Sequence, residues 1–562
     1  MEALRLTRRD AIAALVGAPA VAALASALAG CSRKDVRALE FPGGFAAPDV
    51  SLGHLLRGAD LLARPAVRTE RVGTAIVGGG VSGLSAAWRL ARAGEGDFRV
   101  YELETSPGGT ALSGVNDVSK FPWGAHYVPV PAFRNPALEA VLEEVGALVG
   151  RDADGTPEWA EEMLCREPEE RLFYGNRWHA GLYPYEGASR TDVEQVNRFR
   201  VLMDAFAGKK DSKGRRGFAI PTRRSSDDAN LLALDRTTMA EWLDSNGFTS
   251  KRLRWLAEYG CRDDFGTNLD RISAWAGIHY NAARLPGEDE DEEPSDFLTW
   301  PEGNGRLVSH LARSAAGKLD ARALVFDVEP SARAGAPVRL RYLDARTNEV
   351  VAVEARDAIL ALPKYAARHV FAPWRTAPPA WLDALSYAPW IVANVTLSGR
   401  PKETSQPLAW DNVLYDSRSL GYVVATHQTG KDHGSTVFTW YMPLTDDEPA
   451  KARAQLLAAE WKDLAAAVLA DLSRAHADLP GLVTRMDFAR WGHAMLRPTP
   501  GFLSSPVRRL APEGGVHFAH ADSAGLPLFE EAQDAGVRAA EAILAARGTK
   551  SAPLSVTERA RR

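Results

Sequence analysis

Apolar and polar positions fall into a strand–turn–helix unit near residue 71. Arg71 to Ile76 ends in a short apolar run, a glycine-rich turn spans residues 78–83, and Leu84, Ala87, Trp88, Leu90 and Ala91 then recur at helical spacing. A second short strand, Phe98-Arg99-Val100-Tyr101, follows. Further along, Ile391 to Leu397 and Gly421 to Ala425 read as strands between turns, while Ala454, Leu457, Trp461, Leu464, Ala465 and Val468 share one helix face. Strands that alternate with helices predict an α/β fold. No internal repeat is visible.

The first residues follow a different pattern. Thr7-Arg8-Arg9-Asp10 precedes a stretch without charge from Ala11 to Ser32, the charged-then-apolar order of an export signal. Its Ala and Gly content and Pro19 make it weakly apolar for a permanent span. The arginine pair resembles a twin-arginine signal, with Ala11 where that pattern carries Phe or Leu, and Leu28-Ala29-Gly30-Cys31 resembles a bacterial lipobox. That resemblance implies an exported protein anchored by lipid on Cys31, on the periplasmic or outer face of a bacterial membrane. Residues 1–31 are then signal, and residues 32–70, with Pro42, Gly43, Gly44 and Pro48, are expected to be a tether.

Length and charge narrow the classes. A chain of 562 residues exceeds what one hydrophobic core fills, so at least two domains are expected. A formal charge of -5 excludes the basic excess that nucleic-acid binding needs. Three cysteines are too few and too scattered for a disulfide framework or a metal knuckle; Cys165 and Cys261 either pair in an oxidising compartment or stay buried as thiols. The basic run 208–216 and the acidic run 287–293 read as solvated loops, and the acidic one lacks the ligand spacing of a calcium loop.

The glycine turn carries the chemistry. Gly78, Gly80 and Gly83 fit G-x-G-x-x-G, in which the first permits a tight turn, the second admits a pyrophosphate to the backbone, and the third lets helix and strand pack closely. Backbone N–H groups of Val81 and Ser82, at the helix N-terminus, would face the phosphates. Glu102 ends the second strand about twenty residues on, where a dinucleotide fold places its ribose-binding acid. Glu104 is the competitor for that role.

Beyond Glu102 the chain resembles the flavin-containing amine oxidases and protoporphyrinogen-oxidase-like enzymes. Ser106-Pro107-Gly108-Gly109-Thr110 matches their E-x5-G-G extension, with Thr110 in place of the usual Arg, and Lys120 to Tyr127 resembles the strand and turn beside the flavin ring. Leu298 to Leu307, Val325 to Val328, Ala358 to Pro363 and Gly515 to Asp522 resemble the family's later segments in order. The resemblance implies a discontinuous Rossmann-like FAD-binding domain (71–135, 297–375, 485–546), an interleaved mixed α+β substrate domain (136–296, 376–484) and a tail (547–562). It implies FAD held by Gly78, Gly80, Val81, Ser82, Gly83, Glu102, Gly108, Gly109, Thr110, Trp123, Gly124, Ala125, Val325 and Asp522, with His520 where a glycine is usual.

In such an enzyme the flavin performs the redox step and the protein supplies an apolar pocket, which favours the neutral form of an amine. Trp123, His126, Tyr127, Trp440, Tyr441 and Trp491 are candidate pocket residues, with His126 and Trp491 assigned catalytic roles; His493 is a weaker candidate. The stretch Arg368-His369-Val370-Phe371 lacks the lysine that many amine oxidases place near the flavin. The expected activity is oxidation of a small organic substrate such as an amine at the flavin N5, the alternative being a non-catalytic or electron-transfer flavin-binding accessory lipoprotein.

Overall fold

The computed structural model describes residues 40–132, 134–285, 297–549 and 554; the export signal, Cys31 and the acidic run lie outside them. Two large sheets organise the chain. In the first, the strands run in the order Leu319–Ala321, Phe98–Glu102, Arg68–Val77, Glu349–Leu360, Val338–Asp344 and Ala323–Glu329, and Val516–Phe518 pairs with the end of Glu349–Leu360. The strands nearest the glycine turn are parallel: Arg68–Val77 lies between Phe98–Glu102 and Glu349–Leu360. Parallel strands need cover on both faces, which explains the unbroken burial from Val72 to Val77. Helices Val81–Arg92 and Phe529–Ala546 pack together beside this sheet, where Ser82 Oγ donates to the Ala532 carbonyl at 2.6 Å.

The second sheet has eight strands, in the order Gly43–Ala47, Val483–Leu496, Tyr387–Leu397, Thr436–Pro443, Gly421–Val424, Asp411–Leu414, Glu170–Tyr174 and Arg177–Ala180. Every residue of Tyr387–Leu397 is buried, because both faces of this central strand are covered. A helical subdomain, Arg190–Gly208, Met239–Ser245, Lys251–Phe265 and Ala274–Ala282, closes over its own core of Phe199, Met203, Phe248 and Trp275. Ser189 and Thr238 start two of these helices with capping boxes.

Two expectations change here, and the choice between two alternatives for the cysteines is decided. From Gly43 the supposed tether is folded, pairing in parallel with Val483–Leu496, and the helix Val50–His54 follows. Gly43 is there because a Cβ would sit 1.8 Å from the Met486 carbonyl oxygen, a requirement for close approach that the composition disguised as flexibility. Asp49 then ties this arm to the first sheet, its N–H donating to Glu104 at 2.8 Å and its carboxylate pairing with Arg322. Residues 485–496, assigned to the FAD domain, belong to the second sheet through ten-residue pairing with Tyr387–Leu397. Cys165 and Cys261 are both buried free thiols. Among the described residues no helix is long and apolar enough to cross a membrane.

Candidate active site

The glycine turn builds an open cradle. Gly78 adopts φ +101°, and a Cβ there would meet the Ala361 carbonyl oxygen at 2.6 Å, so the turn is locked against the end of the third parallel strand. Gly80 caps helix Val81–Arg92 without any side-chain hydrogen bond, which leaves the first-turn N–H groups available to an anion. The second glycine pair backs the first: Gly108 N–H donates to the Gly79 carbonyl at 2.9 Å, and Gly80 and Gly109 approach backbone to backbone.

Glu102 closes the nucleotide end. Its carboxylate accepts from Gly79 N–H at 2.6 Å and from Glu104 N–H at 2.8 Å. Burial pushes its pKa up to about 7, against the lowering effect of those two N–H groups. One lone pair on each oxygen remains for a diol, which suits an adenosine ribose. A turn open to phosphate, an uncapped helix and a buried ribose acid fit FAD. Val325 sits buried in Ala323–Glu329, three residues beyond Arg322, whose N–H donates to the Glu104 carbonyl at 3.2 Å.

The segment from Trp123 to Tyr127 leads from this cradle into an aromatic chamber. Gly124 lies so close to Thr110 that a Cβ would stand 2.1 Å from its carbonyl oxygen, and Ala125 N–H donates to the same oxygen at 2.9 Å. Thr110 therefore acts through its backbone here. From the other side Asn304 donates its side-chain N–H to the Tyr127 carbonyl at 3.0 Å and Thr299 donates to the His126 carbonyl at 2.9 Å. This contact accounts for the Leu298 to Leu307 segment, which braces the flavin-side strand.

His126 stacks on Tyr441 with ring centroids 4.7 Å apart and touches Tyr127 and Trp410 at 5.1 and 5.5 Å. Enclosure pushes its pKa down to about 4, only partly offset by the Gly124 carbonyl, so the imidazole is neutral at pH 7. Tyr441 donates to the Gly124 carbonyl at 2.9 Å, and Trp491 donates from Nε1 to the Trp123 carbonyl at 2.6 Å. Both aromatics thereby fix the Trp123–Gly124 turn, beside which the flavin ring would lie.

Carboxylates stand behind the aromatic wall. Tyr259 donates to Asp411 at 3.0 Å, and Tyr127 lies 3.4 Å from both Asp263 and Asp264. Arg284 pairs with Asp264 at 2.5 Å. Burial raises Asp263 and Glu170 to about 7, reinforced for Asp263 by Asp264 and for Glu170 by Glu167. Asp411 is pushed further up by burial and by the charges of Asp263 and Glu170.

Several predicted residues lie elsewhere. The Asp522 carboxylate faces protein: it accepts from Lys364 N–H at 2.7 Å and Tyr387 O–H at 2.6 Å, and His520 Nδ1 stands 3.1 Å away. Both donors fall on Oδ2, so the carboxylate ties its loop to Lys364 and Tyr387. Ser82 spends its hydroxyl on Ala532 and offers only its backbone. The Trp123 ring is buried against Phe121, and Trp440 points to the opposite face of its sheet, where Nε1 donates to Asp471 at 2.9 Å. Alternation along the strand puts only its neighbour Tyr441 in the chamber. His493 stacks on Tyr365 at 4.0 Å, outside the His126 group.

Two features were missed. Lys364, directly after Pro363, is fully buried with no hydrogen-bond partner for Nζ among the described residues. Burial lowers its pKa to about 8, with Asp522 opposing. The Asp411–Glu170 pair was also missed, since its members are neighbours only through strand pairing.

A dinucleotide cradle that opens into an aromatic chamber defines an FAD-dependent oxidoreductase. The profile for flavin containing amine oxidoreductases matches residues 81–544, and the chain belongs to that family. Among solved structures, a putrescine oxidase shares 18% identity at a TM-score of 0.61 over 85% of this chain and 100% of that one; it has been solved with putrescine bound. The cyclohexylamine oxidase of Brevibacterium oxydans IH-35A shares 16% identity at a TM-score of 0.60, over 86% of this chain and 100% of that one. A fatty acid isomerase from P. acnes, described as CLA-producing, shares 12% at 0.57, over 83% of this chain and 97% of that one. These likenesses show a common fold, which by itself does not fix a substrate. No curated protein matches the chain.

Proposed function

We propose that this protein oxidises small amines at the carbon bearing nitrogen. Bound FAD supplies the two-electron acceptor. The observation that carries the reading is the aromatic cluster in which neutral His126 packs against Tyr127, Trp410 and Tyr441 at the end of the turn that leads from the cradle. An enclosed aromatic wall penalises an ammonium ion at the reacting end and favours the free amine. His126 contributes no positive charge there, and Trp491 and Tyr441 hold the Trp123–Gly124 backbone in place. The amine leaves as an imine, which water converts to a carbonyl compound and ammonia or a shorter amine.

Anaerobic incubation of the holoprotein with primary amines is expected to yield one carbonyl product per flavin, identified by mass. No carbonyl product from alkyl, aryl or diamine substrates would contradict the reading.

We further propose export and lipid attachment at Cys31, supported by the Arg8-Arg9 signal and the Leu28-Ala29-Gly30-Cys31 sequence. Mass analysis of the N-terminal peptide from bacterial membranes should show an acylated Cys31. An intact, unacylated N-terminus on the mature protein would rule this out.

A further inference from the structure

Exposed apolar side chains and unpaired arginines gather on one surface around the edge strand Gly43–Ala47. Phe45 is 41% exposed, and the Arg490 guanidinium lies 3.7 Å over its ring. Arg490 also donates to the Leu457 carbonyl at 3.2 Å. Leu457, 37% exposed, lies one turn after Arg453 on the same face of helix Pro449–Ala458. A Cβ at Gly492 would stand 3.6 Å from Arg453 Cδ, so both arginines flank one stretch of Val483–Leu496. The arm adds His54, Leu55 and Arg57, all exposed. Burial, then Arg453, Arg57 and His54, push the pKa of His493 down to about 3, which groups these three side chains around one imidazole.

Other surface arginines pair with carboxylates, such as Arg68 with Glu70, Arg190 with Glu194 and Arg485 with Asp487. Among the described residues Arg57, Arg453 and Arg490 have no carboxylate partner. Arg453 donates to the Tyr387 carbonyl at 3.2 Å, and the only group opposing the fall of its pKa is the Tyr365 hydroxyl. Burial alone lowers the pKa of Arg490. The whole chain carries a formal charge of -5, so an anionic surface would be repelled everywhere but at such a local group of cations. Exposed Phe and Leu among arginines suit the boundary of a bilayer, where apolar side chains enter and guanidinium groups meet phosphates. The place of the arm agrees with this. Cys31 precedes Gly43 by twelve residues, a reach of about 40 Å at full extension.

We propose, resting on the lipid attachment at Cys31 put forward above, that this surface lies against the anionic phospholipid headgroups of the membrane that holds the lipid. Phe45, Leu55 and Leu457 enter the interface, and Arg57, Arg453 and Arg490 meet the phosphates. The lipid supplies attachment and the surface supplies orientation, since a tether alone leaves the protein free to turn. The strand that meets the membrane also backs the flavin-side turn, because Trp491, between Arg490 and Gly492, donates to the Trp123 carbonyl.

The test is co-sedimentation of the holoprotein with vesicles, using the chain from residue 31 onward with Cys31→Ser, which keeps every described residue and carries no lipid. Vesicles of phosphatidylcholine mixed with phosphatidylglycerol are compared with phosphatidylcholine alone. At low salt the affinity is expected to favour the anionic vesicles by roughly 100-fold, the scale of three arginines at a charged bilayer. Arg57→Gln with Arg490→Gln should reduce that preference to about 5-fold, and Arg57→Gln alone, at an exposed position, should give an intermediate value if the double variant does not fold. Leu457→Gln should weaken binding to both vesicles by roughly 3-fold and leave the preference unchanged. No binding to the anionic vesicles, equal binding to both, or an undiminished preference in arginine variants that retain FAD overturns the surface, while acylation of Cys31 still stands on the mass of its peptide. An unacylated mature N-terminus together with the full preference overturns the anchor and upholds the surface.

Discussion

Gly83→Ala is expected to yield a protein of lowered stability that purifies without flavin. The third glycine of the motif lies in helix Val81–Arg92, and a Cβ there would stand 1.9 Å from the Gly78 carbonyl oxygen and 3.3 Å from the Ala361 Cβ. Neither neighbour is a flexible side chain. The helix would have to withdraw from the strand, at a cost of about 1–3 kcal/mol or more for overpacking. It would also pull away from Phe529–Ala546, which approaches it so closely that a Cβ at Gly536 would meet the Ser82 carbonyl oxygen at 2.0 Å. Gly80→Ala provides the contrast, because its Cβ meets nothing nearer than Gly109 at 4.0 Å. That variant should fold with wild-type stability yet lose flavin, its methyl group occupying the space the pyrophosphate needs. Thermal unfolding of the apoproteins and the flavin-to-protein ratio separate the two; equal stability of both would refute the packing role of Gly83.

Glu102→Ala should weaken FAD binding by roughly 10- to 100-fold, the scale of one or two hydrogen bonds to a charged group. The substitution removes the acceptors offered to ribose and also strands the N–H groups of Gly79 and Glu104, which the carboxylate now holds at 2.6 and 2.8 Å. Glu102→Gln keeps the volume and one acceptor and should fall between. Titration of apoprotein with FAD, followed by flavin fluorescence, measures all three. Undiminished affinity in Glu102→Ala would transfer the ribose to another acid, with Glu104 next in line.

What the sequence disclosed is what short-range geometry determines. Gly78, Gly80, Gly83 and Glu102 belong to one continuous strand–turn–helix–strand unit, so their spacing alone carries the cradle. The chamber was only half legible. Trp440 and Tyr441 are adjacent and must point to opposite faces, but which face is inward depends on strands distant in sequence. The Glu170–Asp411 pair arises from a pairing 241 residues apart, and no local pattern announces it. Asp522 occupies the expected loop, yet its orientation is set by Tyr387 and Lys364 from another segment. The arm from Gly43 was misread for a related reason: glycine and proline signal a flexible linker and a close backbone approach with the same letters.

The most direct test is an absorbance spectrum of the purified protein, followed by anaerobic titration with a series of small alkyl, aryl and diamine substrates. The account predicts an oxidised flavin band that bleaches on addition of at least one of these amines, and FAD as the species released on denaturation. A colourless protein that fails to take up added FAD, or a bound flavin bleached by dithionite and by no amine, would contradict it.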